Sequence, residues 1–257
     1  MQEINAKYNL KSLLENYRVV IPLIQRDYAQ GRKDKRTTEV RKKLLQDINT
    51  ALLDTNVGPL DLNFIYGKST NGKFIPLDGQ QRLTTLFLVY LFAYRDNDDC
   101  DFLGNFSYKT RKSSTQFFKS LFENRKNIFT ETESSSEIIT DQPWFADSWQ
   151  LDPSVQGALK TLDDISDSFD YGFDYVSVLS DSNNQKLVFN FLDIDKLGSE
   201  DELYIKLNSR GRPLTDFENF KARLIDRIKK IDSHLEREFS QNIDTKWTDV
   251  IWNIDKN

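Results

Sequence analysis

The sequence has very few of the residues that disulfide-bonded proteins and many metal-dependent nucleases require. Its 257 residues include one cysteine, Cys100, and one histidine, His234. A single cysteine excludes an internal disulfide bond and fits a reducing compartment. With one histidine and one cysteine, the chain cannot build an HNH nuclease site, a His-rich zinc site or a Cys-based metal site. Any histidine-dependent DNA cleavage linked to this protein therefore belongs to another domain or chain.

Long apolar runs and an excess of positive charge are also missing. The longest apolar run, residues 86–94, ends at Arg95-Asp96 and is much shorter than the roughly 20 residues that a membrane-spanning helix needs. The first residues lack the basic and then apolar pattern of a signal peptide, so we expect a cytoplasmic protein. The net charge of −5 argues against a surface that is basic throughout, which confines any DNA contact to a local patch.

Residues 74–94 predict a strand, a tight turn and a buried helix. An apolar run ends at Asp78-Gly79, and a second run that is apolar on nearly every helical face begins at Leu83. Asp78 is a good N-cap and Gln81 completes a capping box, so we expect the helix to start at Gly79. The free N–H groups of this helix start and the Arg82 side chain make a plausible phosphate site. The alternative is that Asp78 only caps the helix and Arg82 pairs with a nearby carboxylate.

Two further polar segments follow predicted strands. The loop Gln25-Arg26-Asp27-Tyr28 comes after a strand at residues 18–22, where an arginine suits a phosphate and a tyrosine suits a base. The second loop begins at Asn208 and ends at a capping box formed by residues 215 and 218. Its Asn208 suits a phosphate, a ribose or a metal-bound water, and Arg210 suits developing negative charge. The alternatives are a surface ion pair in the first segment and an ordinary turn in the second.

Three segments in this order resemble the DUF262 family. They are Ile21-Pro22-Leu23-Ile24-Gln25-Arg26-Asp27-Tyr28, Asp78-Gly79-Gln80-Gln81-Arg82-Leu83-Thr84-Thr85-Leu86 and Leu207-Asn208-Ser209-Arg210-Gly211-Arg212-Pro213-Leu214-Thr215. The family includes the nucleotide-hydrolysing half of GmrSD-type modification-dependent restriction enzymes and has a ParB/sulfiredoxin-like core. The resemblance implies an NTP-binding and NTP-hydrolysing domain in bacterial defence against phage. Hydrolysis would control DNA cleavage by an HNH nuclease of the DUF1524 type, in a longer chain or a separate subunit.

The resemblance also assigns residues to a nucleotide site. The candidate catalytic residues are Asp78, Gln80, Gln81 and Arg82. The candidate nucleotide-binding residues are Gln25, Arg26, Tyr28, Gly79, Thr84, Asn208, Arg210, Gly211 and Lys221. Asp78 would position a Mg²⁺ ion or a water, or only cap the helix, and Gln80 or Gln81 would orient the attacking water. The nucleotide, ATP, GTP or CTP, is left open.

A second hypothesis is a non-catalytic, ParB-like module that senses modified DNA. It rests on a basic run that contains Arg32, Lys33, Lys35 and Arg36 and continues through residues 41–43. A solvated loop and helix face explains the same run without DNA. Cleavage of DNA by this core through a carboxylate-bound metal is a third possibility, but no Asp/Glu pair near the motifs has a suitable spacing.

We expect an α+β fold, a small mixed ParB/sulfiredoxin-like sheet with surrounding helices. Residues 1–95 would form the core, residues 96–180 a mainly helical insertion, and residues 181–257 the unit that completes the site. Asn71-Gly72 predicts a hairpin between residues 61–67 and 73–77. Residues 37–54 predict a helix whose apolar stripe includes Val40, and Asp152-Pro153 starts another. The Gly67-Lys68-Ser69-Thr70 segment is not a P-loop, because Leu62 replaces the first glycine and no helix follows.

Overall fold

Every strand within the described parts of the chain joins one mixed sheet. The computed structural model describes residues 7–22, 35–109 and 111–194, without the side chain of Arg36. The strands are β1 (Lys7–Tyr8), β2 (Arg18–Ile21), β3 (Leu60–Thr70), β4 (Lys73–Asp78), β5 (Phe106–Tyr108) and β6 (Leu187–Asp193). The helices are α1 (Leu10–Asn16), α2 (Lys35–Leu53), α3 (Gln80–Ala93), α4 (Lys112–Glu123), α5 (Ser135–Thr140), α6 (Pro153–Ser168) and α7 (Tyr175–Ser180). The α+β class is confirmed, and the likeness to ParB and sulfiredoxin stays a prediction.

The sheet is built around the predicted hairpin. Its strand order is β1-β6-β3-β4-β2-β5, with β3 antiparallel to β4 and β2 parallel to β4. Asn71 and Gly72 join β3 to β4 with φ angles of 52° and 72°, as a two-residue hairpin turn with two left-handed residues requires. The segment that resembles a P-loop lies inside β3, which agrees with its rejection.

Strand β3 runs past the end of its partner β4. Tyr66 is paired with Asp78, the last residue of β4. Residues 60–65 of β3 therefore continue alongside the turn that follows β4. Residues 60, 61, 64 and 65 pair there in parallel with β6. This overhang lies beside the start of α3, where Ile65 is close to Gly79.

Helix α3 lies at the centre of the core, as its apolar sequence predicts. Every residue from Leu83 to Ala93 is buried. The Phe92 ring contacts four other aromatic rings, of Phe129, Phe169, Tyr171 and Tyr175, with centroids 5.0 to 6.0 Å apart. None of the helices that the structure describes is long and apolar enough to cross a membrane. The packing holds α3 rigidly, so the groups at its first turn have fixed positions.

The buried stripe of α2 differs from the predicted one. Val40, expected in the core, is 54% exposed, whereas Arg41 is fully buried. The Nε atom of Arg41 lies 2.6 Å from Oδ2 of Asp164 on α6. The ion pair lets a charged side chain occupy a core position, which apolar periodicity does not reveal. Arg41 is therefore not part of a solvated basic face.

The helical region between β5 and β6 contains both predicted and unexpected elements. Helix α6 is confirmed, and Asp152 caps it by accepting a hydrogen bond from the Ser154 N–H. Strand β5 and helix α5 were not predicted. The region shares one apolar core with α1, α2 and α3, while the division into three domains stays a prediction. The strand predicted at residues 202–207 and the helix after it lie outside the described residues.

Cys100 is buried in this core. Burial raises the pKa of its thiol, so the thiol stays protonated at neutral pH and is a poor nucleophile.

Candidate functional site

Gly79 makes the turn between β4 and α3. Its φ of 84° is left-handed, and it is the N-cap residue of α3, which begins at Gln80. A Cβ atom on Gly79 would lie only 2.7 Å from Cγ1 of Ile65 on β3. Both the backbone conformation and the close approach of β3 therefore require glycine at this position.

The predicted cap of α3 is wrong. No side chain caps the helix, so Asp78 is not the N-cap, Gln81 does not complete a capping box, and the helix does not start at Gly79. Asp78 is still part of β4, paired with Tyr66. The exposed Asp78 side chain contacts Arg82 and does not cap the first turn. The start of α3 after Gly79 therefore lacks a side-chain cap, and the first N–H groups of a helix have no acceptor in the preceding turn of that helix.

Arg82 is held from two strands. Its Nη2 lies 2.9 Å from Oδ2 of Asp78 on β4, and its Nη1 donates a hydrogen bond to the backbone carbonyl of Leu62 on β3. The Asp78 side chain is 54% exposed and that of Arg82 23% exposed. An ion pair at such exposure contributes at most about 1 kcal/mol to stability, so an incoming phosphate can replace Asp78 as the partner of Arg82.

The two glutamines occupy the first turn of α3 between Asp78 and Arg82. Gln80 donates from Nε2 to the carbonyl oxygen of Pro76 at 2.7 Å, which fixes its amide against β4. Gln81 is half-buried. The structure thus brings Asp78, Gly79, Gln80, Gln81 and Arg82 together at one edge of the sheet. An uncapped helix start with an arginine beside it can accept an anion.

Thr84 lies beneath this turn. It is fully buried, and its hydroxyl donates to the carbonyl oxygen of Gln80 at 2.9 Å and lies 2.6 Å from the Tyr108 hydroxyl. These bonds connect the first turn of α3 to β5. The geometry favours a supporting role for Thr84 over the direct nucleotide contact that the motif implies.

Tyr66 is a site residue that the sequence reasoning missed. It is half-buried on β3, directly across from Asp78. Burial raises the pKa of the Tyr66 phenol, the Asp78 carboxylate raises it further, and Arg82 lowers it. At neutral pH the hydroxyl therefore keeps its proton and can donate a hydrogen bond. Counting back from the Asn71-Gly72 turn would have placed Tyr66 within one residue of Asp78.

The described residues supply one acidic side chain at this turn, Asp78. They contain no group of three or more His, Cys, Asp or Glu side chains that could hold a metal ion. Mg²⁺ is commonly held by one or two carboxylates together with substrate phosphates. The turn therefore fits a Mg²⁺ ion only if phosphate oxygens complete its coordination.

The remaining candidates are divided between described and undescribed residues. Gln25, Arg26, Tyr28, Arg32, Lys33, Asn208, Arg210, Gly211 and Lys221 lie outside the described residues, as does the side chain of Arg36. Lys35 is exposed at the start of α2. Strand β2, which precedes the first of these segments, is parallel to β4. The carboxyl end of β2 therefore lies at the same end of the sheet as Asp78 and Gly79.

Comparison with known proteins agrees with the three motifs. Residues 10–225 match the family described as GmrSD restriction endonuclease, N-terminal domain. No curated protein matches the chain. The match extends from α1 to residues beyond β6 and includes all three polar segments. The chain therefore belongs to the GmrSD restriction endonuclease N-terminal domain family, as the DUF262 resemblance predicted.

Proposed function

We propose that the chain binds a nucleoside triphosphate at the first turn of α3 and hydrolyses it. Family membership implies a component of a restriction system. The observation that carries the proposal is the helix start at Gly79, which has no side-chain cap while Arg82 lies beside it. A phosphate chain fits this arrangement of N–H donors and a guanidinium group.

Ligand binding would exchange partners at the Asp78–Arg82 pair. Phosphate oxygens would accept hydrogen bonds from the guanidinium group of Arg82 in place of Asp78. The Asp78 carboxylate would then be free to hold a Mg²⁺ ion or a water. When bound, Mg²⁺ supplies positive charge that neutralises the phosphate oxygens. Gln80 or Gln81 would orient the attacking water, and the Tyr66 hydroxyl would donate to the ligand. From the undescribed segments, Arg26 and Arg210 are proposed as further phosphate ligands.

Hydrolysis would control cleavage of modified or phage DNA by a nuclease. The nuclease must be a further domain or a separate subunit, because a chain with one histidine has no HNH site. The family resemblance favours an HNH nuclease of the DUF1524 type.

The test is phosphate release from ATP, GTP and CTP with Mg²⁺, with and without modified phage DNA. We expect turnover of one nucleotide and a loss of at least about 100-fold in the Arg82→Ala variant, because an arginine that binds developing phosphate charge is removed. Arg18→Ala is the matched control. Arg18 is exposed on β2 and lies opposite Lys73 in the register with β4, at the other end of β4 from Asp78.

Two outcomes would contradict the proposal. Unchanged turnover in a folded Arg82→Ala variant would remove Arg82 from the site. Absence of turnover under every condition, with DNA affinity that falls steeply as salt rises, would favour the ParB-like DNA-binding module instead.

A further inference from the structure

Strand β3 contains a backbone irregularity at Asn63. Its φ is 63°, and the only other non-glycine residue with a positive φ in the described segments is Asn71, in the hairpin turn. The pairing of β3 with β6 goes from Asp61 directly to Phe64, so Leu62 and Asn63 are left out of the register. This is a β-bulge with a left-handed residue, a conformation that costs free energy and is common beside functional sites.

The bulge is stabilised by its own sequence. Oδ1 of Asp61 accepts a hydrogen bond from the Asn63 N–H at 2.9 Å, which is the geometry of an Asx turn. Asparagine also tolerates the left-handed conformation better than most residues. The Asp61-Leu62-Asn63 segment thus bends β3 locally, in the overhang beside the start of α3.

The carbonyl group at the centre of this bulge contacts Arg82. Nη1 of Arg82 donates to the Leu62 carbonyl, and Nη2 contacts Asp78. Two contacts on different nitrogens fix the plane of a guanidinium group, whereas one contact leaves it free to rotate. Asp78 alone, with a side chain 54% exposed, would not hold this orientation. Because Leu62 lies outside the register of β3 with β6, its carbonyl is available to Arg82 in the bulged conformation.

We infer that the bulge at residues 61–63 orients Arg82 for phosphate binding, with Asp61 and Asn63 as positioning residues. The inference deepens the proposed function and rests on it for the identity of the ligand. It also makes a prediction about Arg82 that needs no nucleotide. Disruption of the bulge should release one side of the guanidinium group and increase its reactivity.

The first readout is the rate at which phenylglyoxal modifies Arg82 in the full-length chain, followed by mass spectrometry. We expect a severalfold faster reaction in Asn63→Val, because a β-branched residue disfavours a positive φ, and in Asp61→Ala, which removes the turn acceptor. Asn63→Gly should react at the wild-type rate, since glycine adopts a positive φ readily. Lys7→Ala is the control, because Lys7 pairs with Asp61 at 3.6 Å without belonging to the bulge.

The second readout is affinity for inorganic tripolyphosphate, measured by isothermal titration calorimetry. We expect about tenfold weaker binding in Asn63→Val and Asp61→Ala, because a guanidinium group that is free to rotate must be ordered when the ligand binds, and unchanged binding in Asn63→Gly. A merely structural bulge would lower the unfolding free energy without changing the affinity of the folded protein. Circular dichroism checks that each variant folds. If Asn63→Val does not fold, Asp61→Ala alone tests the positioning role.

The two proposals fail in different ways. Wild-type Arg82 reactivity in folded Asp61→Ala overturns the positioning role. If the wild-type chain binds neither tripolyphosphate nor any nucleoside triphosphate, the proposed function is overturned. The modification rate of Arg82 still decides whether the bulge orients that side chain.

Discussion

Asp152 shows how one buried carboxylate connects two helices. Its side chain is 2% exposed and accepts hydrogen bonds of 2.5 Å from the hydroxyls of both Ser113 and Ser114 on α4. It also caps α6 through the Ser154 N–H and pairs with Arg111. Burial alone raises the pKa of Asp152, but the hydrogen bonds and the Arg111 charge outweigh burial, and the pKa is lowered.

This lowered pKa makes the contribution of Asp152 to stability depend on pH. The stabilisation is complete above the pKa of the unfolded chain, about 3.9, and is lost as the pH falls through the lower pKa of the folded state. We expect Asp152→Asn to reduce the unfolding free energy by about 1–3 kcal/mol at pH 7. The difference from wild type should shrink as the pH falls below about 4. Urea unfolding at both pH values measures it.

Asp141→Asn provides the control for Asp152, because Asp141 is exposed and the same charge is removed. It should change stability little. A deficit in Asp152→Asn that persisted unchanged at low pH would show that the charge of Asp152 is not what stabilises α6.

At the scale of elements, the turn before α3 depends on two separate requirements at Gly79. Alanine there must adopt a left-handed backbone and also contact Ile65, whereas alanine at Gly72 meets only the first requirement, with no atom within 4 Å of the added Cβ. We expect Gly72→Ala to cost about 1 kcal/mol of unfolding free energy and Gly79→Ala roughly 1 kcal/mol more. Urea unfolding of both variants isolates the contact with Ile65.

A double-mutant cycle with Ile65→Ala tests the same contact. Most of the extra cost of Gly79→Ala should disappear in Ile65→Ala, because that change removes Cγ1, the atom nearest to the added Cβ, and the two changes are therefore coupled. Equal costs at Gly72 and Gly79 would mean that β3 can move away from the turn.

The elements that sequence reasoning found have strong local signals. Asn71-Gly72 and Asp152-Pro153 mark a turn and a helix start through the conformations of those residues alone. Strand β5, with 3 residues, and α5, with 6 residues, are too short to show periodicity. The sequence assigned the cap of α3 to Asp78 because capping rules consider only neighbours in sequence. They do not include Ile65 on β3, which lies so close to Gly79 that only glycine fits at the N-cap position. The Arg82–Leu62 hydrogen bond joins residues 20 positions apart in sequence, and local patterns of residue types do not indicate such a contact.

At the scale of the molecule, Arg41 and Asp164, which are 123 residues apart in sequence, join α2 to α6. Removal of the carboxylate in Asp164→Ala leaves a guanidinium charge in the core, so we expect a loss of about 3–5 kcal/mol. The Arg41→Met, Asp164→Leu double variant should lose much less, because it leaves no buried charge. Urea unfolding measures both effects.

Hydrogen exchange then tests whether the described part of the chain unfolds as one unit. Because α2, α3 and α6 contribute to one apolar core, amide protection in β3 and α6 should fall together in Asp164→Ala. Loss of protection in α6 with β3 unaffected would instead support residues 1–95 and 96–180 as separate domains.

The overhang of β3 has a consequence for protein design. Arg82 and Leu62 are 20 residues apart in sequence, so transfer of residues 78–82 to another strand–turn–helix scaffold would carry the arginine without the strand that orients it. The smallest transferable unit is the hairpin together with α3, residues 60–93. Because nearly all of α3 is buried, the recipient scaffold would also have to provide an apolar cavity as long as the helix.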